Sequence, residues 1–208
     1  MIVKDAFPFL IPLITASVAA FLLGWNVAGF ICLGLAVFVA FFFRNPNRAV
    51  PADPSAIVSP ADGRVVKIER TGNVTKISIF LSIFNVHVNR SPIRGTIEAI
   101  DYKRGRFQAA FNHAASTENE RNVILVADGD LKVVFTQIAG VVARRIVCWK
   151  KVGDSVGKGE LVGLIRFGSR VDVLLPAATE ATVEKGDRVR GGSSIIGRIK
   201  TNVRTTSR

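Results

Sequence analysis

The pair Gly168-Ser169 interrupts an apolar run that otherwise has the composition of one strand, from Leu161 to Leu175. A glycine inside such a run removes side-chain packing and marks a bulge or a close approach of another group to the backbone. If the carbonyl of Gly168 is strained, the hydroxyl of Ser169 can attack it, convert the amide to an ester and let β-elimination cut the chain, leaving a pyruvoyl group at residue 169. Taken alone, the pair is more typical of an ordinary bulge.

Two further segments carry groups that could activate this hydroxyl. Ser59-Pro-Ala-Asp-Gly63 has the composition of a β-turn and contains Asp62, and Phe84–Pro92 contains His87 in a strand-like run with Arg90 just beyond it. An acid, a histidine and a hydroxyl together form the set that activates a nucleophile. Each residue alone is also explained by a plain turn or a structural histidine. Two isolated histidines and two distant cysteines suggest no metal site.

Short apolar runs separated by turn residues surround these groups, and they predict an all-β domain. Asp128-Gly129 between two runs predicts a hairpin. Residues 106–115 are compatible with a short helix. The predicted strands are Arg64–Glu69, Lys76–Leu81, Val86–Asn89, Thr96–Tyr102, Asn122–Ala127, Leu131–Gln137, Val141–Trp149, Leu161–Phe167, Arg170–Leu175, Ala181–Glu184 and Ser194–Lys200.

A short internal repeat supports this fold class. Val152–Gly159 recurs 33 residues later as Lys185–Gly192, and each copy is followed by an apolar strand that contains another glycine. Such turns resemble those of barrel-sandwich domains, including the biotinyl and lipoyl carriers. The repeat also gives the rival pair Gly192-Ser193 a structural explanation, because it occupies the turn equivalent to Gly159-Glu160.

The N-terminal segment is apolar enough to enter a membrane. The 38 residues from Ala6 to Phe43 carry no charge, which is about twice the length of one span. They predict a helical hairpin, Phe7–Leu23 and Val27–Phe43, although a single tilted span and a re-entrant hairpin stay open. Because Lys4 and Arg44 flank the segment, the positive-inside rule places both ends, and the β domain, at the cytoplasmic face of the cell membrane, anchored by residues 6–43. A proline-rich linker at 44–56 separates this segment from the β domain at 57–200, and a basic tail follows at 201–208.

The net charge of +12 predicts a polyanionic partner. With a membrane segment present, the anionic membrane surface is the simplest choice. No nucleic-acid partner is expected, because eight of the 17 aromatic residues are phenylalanines of the membrane segment and no stripe of interleaved basic and aromatic residues follows it. Cys32 and Cys148 lie in different apolar segments, so a disulfide is not expected.

Taken as a set, the motifs resemble those of phosphatidylserine decarboxylase proenzymes of the short, prokaryotic type. The matching segments are Phe43-Arg-Asn-Pro46, Ser59–Gly63, Phe84–Pro92, Glu118-Asn-Glu-Arg-Asn122 and Phe167-Gly-Ser169. The resemblance implies self-cleavage between Gly168 and Ser169 into a β chain, 1–168, and an α chain, 169–208, which remain associated. It also implies a pyruvoyl group made from Ser169 that forms a Schiff base with phosphatidylserine, with His87 and Asp62 as the other catalytic residues and no metal.

The resemblance leaves several points open. Long forms of the family have a second histidine where this chain has Phe84, and His113 falls outside the matched motifs. Arg90 is a candidate for the lipid phosphate, since a guanidinium can bind phosphate through two hydrogen bonds, but a surface charge explains it equally well. Ester and ether lipids present the same head group, and a homo-oligomer is neither required nor excluded. The alternatives from other classes are a membrane-tethered carrier domain and a secretion adaptor domain, neither of them catalytic.

Overall fold

The fold is described from a computed structural model, in which residues 1–105, 119–140, 145–166 and 169–200 are described. Several sequence predictions fall wholly or partly outside these ranges: the short helix at 106–115 with His113, the first half of the strand predicted at 141–149, the end of the strand predicted at 161–167, Gly168 of the expected cleavage site, and the basic tail at 201–208.

The N-terminal segment forms the predicted helical hairpin. After a 3-10 turn at Lys4–Ala6, α1 spans Phe7–Leu22 and α2 spans Asn26–Phe42. The chain reverses at Gly24, whose φ of 77° suits a residue without a Cβ. The helices pack against each other, and the hydroxyl of Ser17 donates to the carbonyl of Gly29 at 2.8 Å. Most of the large apolar side chains on this hairpin are exposed.

Fourteen strands follow among the described residues, in three antiparallel sheets. An eight-stranded curled sheet has the order β13-β2-β3-β11-β7-β6-β5-β9, and two three-stranded sheets have the orders β1-β14-β12 and β4-β10-β8. The strands are β1 Ala56–Val58, β2 Gly63–Thr71, β3 Val74–Leu81, β4 Val88–Arg90, β5 Gly95–Lys103, β6 Arg121–Asp128, β7 Leu131–Ala139, β8 Ile146–Cys148, β9 Ser155–Val156, β10 Leu161–Ile165, β11 Ser169–Leu175, β12 Thr179–Ala181, β13 Arg188–Val189 and β14 Ile195–Ile199.

The predicted all-β class and the hairpin at Asp128-Gly129 are confirmed. β6 and β7 pair antiparallel across this turn, and Gly129 has a φ of 59°. One strand prediction, Ala181–Glu184, is wrong in position: the strand is Thr179–Ala181. The residues after it lead into a turn, in which the carboxylate of Asp187 accepts from the backbone N–H of Glu184 at 2.8 Å.

The internal repeat corresponds to two equivalent turns. Gly153 and Gly186 both have positive φ, 92° and 104°, and Gly159 and Gly192 both have a φ of 77°. Each turn carries a two-residue strand, β9 or β13, at opposite ends of the eight-stranded sheet. The strands that follow, β10 and β14, each form the middle of a three-stranded sheet. The two copies of the repeat therefore occupy equivalent positions at the two edges of the eight-stranded sheet.

The helical hairpin packs directly on the β domain. A shared hydrophobic cluster joins the two helices to the sheet β4-β10-β8 across the predicted boundary at residue 43. Backbone hydrogen bonds also cross the base of the hairpin, from Val3 N–H to the carbonyl of Phe43 at 3.1 Å and from Asn45 N–H to that of Met1 at 2.7 Å. The buried members of the cluster are Val3, Ala6, Leu10, Ala36, Phe42, Phe43, Val86, Val88 and Leu164.

Candidate active site

Ser169 is the first residue of β11 and lies between two neighbouring strands. It is opposite Leu81 of β3 and Ala139 of β7. The residue is fully buried, and its hydroxyl has no hydrogen-bond partner among the described residues. Because buried hydroxyl groups in native proteins are usually paired, this unpaired Oγ is a candidate reactive group.

His87 lies just before β4 and is attached to the strand that leads to Ser169. Its carbonyl accepts from the backbone N–H of Ile165, four residues before Ser169, at 3.2 Å. The imidazole Nδ1 lies 2.9 Å from the carbonyl oxygen of Asn85. Because a carbonyl can only accept, the proton of the neutral ring is on Nδ1 and the lone pair is on Nε2. This Nε2 is buried and has no partner among the described residues.

The electrostatics of the site keep this imidazole neutral. Burial lowers the pKa of His87 from 6.5 to about 4, the hydrogen bond to Asn85 opposes this, and the positive charge of Arg44 adds to it. At pH 7 the ring therefore has the protonation state of a general base.

The predicted acid of the set, Asp62, has other partners. Its carboxylate accepts from the guanidinium of Arg48 at 2.6 Å and from the backbone N–H of Gly191, in the second repeat turn, at 2.8 Å. No hydrogen bond joins it to His87 within the described part of the chain. The orientation of the imidazole comes instead from the carbonyl of Asn85.

Arg90 joins the linker to the first repeat turn. Its guanidinium donates to the carbonyl of Gly159 at 2.9 Å, to Oδ1 of Asn45 at 2.6 Å and to the carbonyl of Pro46 at 3.3 Å. Burial lowers its pKa, as does the charge of Arg48. These contacts give Arg90 a structural role in holding the linker, and its phosphate-binding role stays a prediction.

A cationic groove of about 460 Å³ adjoins the turn that orients His87. Its lining includes Asp62 and three exposed arginines, Arg64, Arg188 and Arg190, together with Asn85. Three guanidinium groups around one groove suit an anionic group such as a phosphate.

A chain of buried amides beside the site was missed by the sequence analysis. Asn122 Nδ2 donates to Gln137 Oε1 at 3.0 Å, and Gln137 Nε2 donates to Asn89 Oδ1 at 2.9 Å. Gln137 precedes Ala139, the strand partner of Ser169, by two residues, so it lies on the same face of the sheet. The available signal was a polar residue at an inward position of an alternating strand.

The comparisons with known proteins agree on one family. The family model of phosphatidylserine decarboxylase matches residues 35–197, a range that contains all the candidate residues above. A phosphatidylserine decarboxylase proenzyme of Solibacter usitatus is 50% identical over 183 residues, which cover 86% of this chain and 89% of the relative. Proenzymes with the same description from Desulfotalea psychrophila and Carboxydothermus hydrogenoformans are 46% and 45% identical over 182 and 205 residues, covering 84% and 95% of this chain and 85% and 96% of the relatives.

Proposed function

The chain belongs to the phosphatidylserine decarboxylase family, and on that premise we propose that Ser169 carries its chemistry. The function is decarboxylation of phosphatidylserine to phosphatidylethanolamine by a protein made as a self-processing proenzyme. This membership excludes the non-catalytic carrier and adaptor alternatives. The observation that supports Ser169 most directly is its fully buried hydroxyl, unpaired among the described residues at the start of a central strand.

In the proposed processing reaction, His87 Nε2 takes the proton of the Ser169 hydroxyl. The freed Oγ attacks the carbonyl carbon of Gly168, and the peptide bond becomes an ester. Elimination then breaks the ester, which leaves a carboxylate on residue 168 and a dehydroalanine at residue 169. Water replaces its nitrogen, which leaves as ammonia, and residue 169 becomes pyruvoyl. A neutral imidazole with its lone pair on Nε2 is the form of His87 that this first step needs.

Asp62 belongs to the proposed processing set through the contacts of its carboxylate. The carboxylate neutralises Arg48 and fixes the turn at Gly191. Without it, the positive charges of Arg48, Arg44 and Arg90 would be less balanced, and the charge of Arg44 is the one that acts on His87. We expect Asp62→Asn to slow cleavage while leaving Ser169 and His87 in place.

The family uses a pyruvoyl cofactor, which supplies the electron-accepting carbonyl that decarboxylation requires. In this chain we propose that the group forms at residue 169, and the buried position between Leu81 and Ala139 would shield it from water. During turnover His87 would deliver a proton to the product. For the lipid phosphate, Arg90 and the arginines of the groove are the two candidates.

The two pieces of the cleaved chain are proposed to stay associated. The α chain would contain β11, which pairs with β3 on one side and β7 on the other, and β14, which pairs with β1 and β12. Three of these four neighbouring strands belong to the β chain. Separation would therefore break two sheets.

The family is membrane-associated, and α1 with the preceding turn, Lys4–Leu22, is long and apolar enough to cross a membrane by length and composition. α2 is shorter, and its 17 residues extend about 25 Å. We propose that residues 6–43 anchor the protein at the cytoplasmic face, where the anionic surface attracts the basic β domain.

Intact-mass analysis of the purified protein tests this function. The native sequence should give two pieces with the junction at 168/169 and pyruvoyl at residue 169. Ser169→Ala should remain one chain of 22.5 kDa. Ser193→Ala, in the rival Gly-Ser pair, is the matched control and should be cleaved normally. Full decarboxylase activity from an uncleaved native chain would overturn the proposal.

A further inference from the structure

We propose that Phe42, the last residue of α2, is a positioning residue for the self-processing reaction, and that its ring forms the wall which holds the His87 imidazole in its reactive orientation. The inference rests on the proposed role of His87 as the base. It gives the membrane hairpin a second task besides anchoring.

The contact between the two rings is close and buried. The ring centroids of Phe42 and His87 lie 4.1 Å apart, with 31° between the ring planes. Phe42 is 1% exposed, and the ring of Phe43 packs against it edge-on at 5.2 Å. The imidazole is thus held on its face by Phe42 and at Nδ1 by the carbonyl of Asn85. A face contact and one hydrogen bond together restrict rotation about both side-chain torsions of His87.

The base of the hairpin is also hydrogen-bonded to the turn that supplies the Asn85 carbonyl. The guanidinium of Arg44, two residues after Phe42, donates to the carbonyl of Phe84 at 2.7 Å and to that of Phe41 at 2.8 Å. The end of α2 and the turn before His87 are therefore fixed to each other. A shift of α2 would move both contacts of the imidazole.

The first residues of the hairpin contact the segment that leads to Ser169. Asp5 accepts from the indole N–H of Trp149 at 3.1 Å and lies 3.7 Å from the guanidinium of Arg166, three residues before Ser169. Arg166 also lies over the ring of Phe9 in α1, at 5.2 Å from its centroid. The hairpin thus contacts the chain on the His87 side and on the Ser169 side of the proposed reaction.

The Phe42 ring that contacts the imidazole belongs to an apolar cluster. Val86 and Val88, on either side of His87 in the chain, and Leu164 of β10 are buried in the same cluster. Among the described residues, the positive charge of Arg44 lowers the pKa of His87, because it disfavours the imidazolium form. Removing the Phe42 ring would admit water to this face, and the pKa of His87 should rise from about 4 towards 6.5.

The first test measures this pKa directly. The background Ser169→Ala, His113→Gln stays uncleaved and leaves His87 as the single histidine, so its titration can be followed by NMR in detergent. Phe42→Ala should raise the pKa of His87 by at least about one unit. Phe30→Ala, in the exposed part of the same helix, is the matched control and should leave the pKa unchanged. An unchanged His87 pKa in a folded Phe42→Ala protein would overturn the proposal.

The second test follows self-cleavage after cell-free synthesis in detergent, at pH 5 and pH 8. A base with a pKa near 4 is neutral at both values, whereas one near 6.5 is about 30-fold less available at pH 5. Phe42→Ala should therefore show a large additional loss of cleavage rate at pH 5 relative to pH 8. The Phe30→Ala control should not show this loss. Phe42→Leu keeps the apolar cover but not the flat face, so it should cleave more slowly at both pH values with little change in their ratio. Equal rates of Phe42→Leu and the native chain would refute the positioning role.

The two proposals fail differently. If His87→Gln cleaves at the native rate, His87 is not the base and the proposed function of His87 is wrong, whatever Phe42 does to its pKa. If His87→Gln blocks cleavage while both Phe42 variants cleave as the native chain does, only the role of Phe42 is wrong.

Discussion

The buried amide chain predicts a large cost for removing its central member. Gln137→Leu deletes both hydrogen bonds of this residue and leaves Asn122 Nδ2 and Asn89 Oδ1 unpaired. All three residues are at most 1% exposed, so water cannot replace the lost partners. Each newly unpaired buried group costs about 1–3 kcal/mol, which gives about 2–6 kcal/mol for the substitution. That is a large fraction of the about 5–15 kcal/mol that stabilises a typical protein.

The assay is urea unfolding of the Ser169→Ala precursor in detergent. The emission of Trp149 reports the β domain, and Trp25→Phe removes the tryptophan of the hairpin turn. Self-cleavage of the same variants on the native Ser169 background should be slower, because Asn89 follows His87 by two residues and Gln137 lies beside the Ser169 partner Ala139.

The matched control replaces the whole chain of amides. A triple variant with leucine at residues 89, 122 and 137 removes every donor and acceptor together, so it should cost much less than the sum of the three single substitutions. Two results would refute the reasoning: a cost below about 1 kcal/mol for Gln137→Leu, or strict additivity in the triple variant.

Three other predictions follow from the site and the sheets around it. Because the folded-state pKa of His87, about 4, lies below its unfolded value of 6.5, its contribution to stability is complete above pH 6.5 and is lost as pH falls through 4. Urea unfolding of the Ser169→Ala precursor should show a loss of about 3 kcal/mol over this window that His87→Gln lacks, and equal losses in both would contradict the assigned pKa. Gly163→Ala would bring a Cβ within 2.1 Å of the Val147 carbonyl oxygen and should clearly lower the Tm. Gly34→Ala is the control, because its Cβ would meet nothing within 4 Å, and it should leave the Tm unchanged. Similar Tm values for the two variants would disprove the close approach of β8 and β10. If the groove binds the lipid phosphate, Arg188→Gln should raise the KM for phosphatidylserine with little change in kcat, and a KM effect confined to Arg90→Gln would favour Arg90.

The fold was predictable where a periodic pattern determines the element. The hairpin of α1 and α2 and the long strands followed from uncharged length and from alternation, with bounds shifted by a few residues. The two-residue strands β9 and β13 were missed because they are too short to show a period, although the repeat that contains them was recognised. β12 was misplaced because the alternating apolar residues Ala181 and Val183 extend past its end into the following turn.

The site was predictable only in part, because sequence motifs do not state which groups touch. The carbonyl of His87 accepts from Ile165 of β10, the strand that precedes Ser169 in the chain, but Asp62 binds Arg48 and Gly191. Gln137 lies in no motif and was visible only as a polar residue on an inward face. The contact of Phe42 with His87 joins two segments that sequence analysis had assigned to separate domains.

The proposed cleavage just before β11 would make maturation a one-way event, because β11 lies in the middle of its sheet. Ser169–Leu175 takes its place between β3 and β7 while the chain is still continuous, so the sheet assembles as an intramolecular reaction. After cleavage, the same unfolded state would consist of two molecules, and its return to the native sheet would depend on their concentration. The working life of the mature enzyme would then be set by how slowly the sheet opens, rather than by an equilibrium to which it could return.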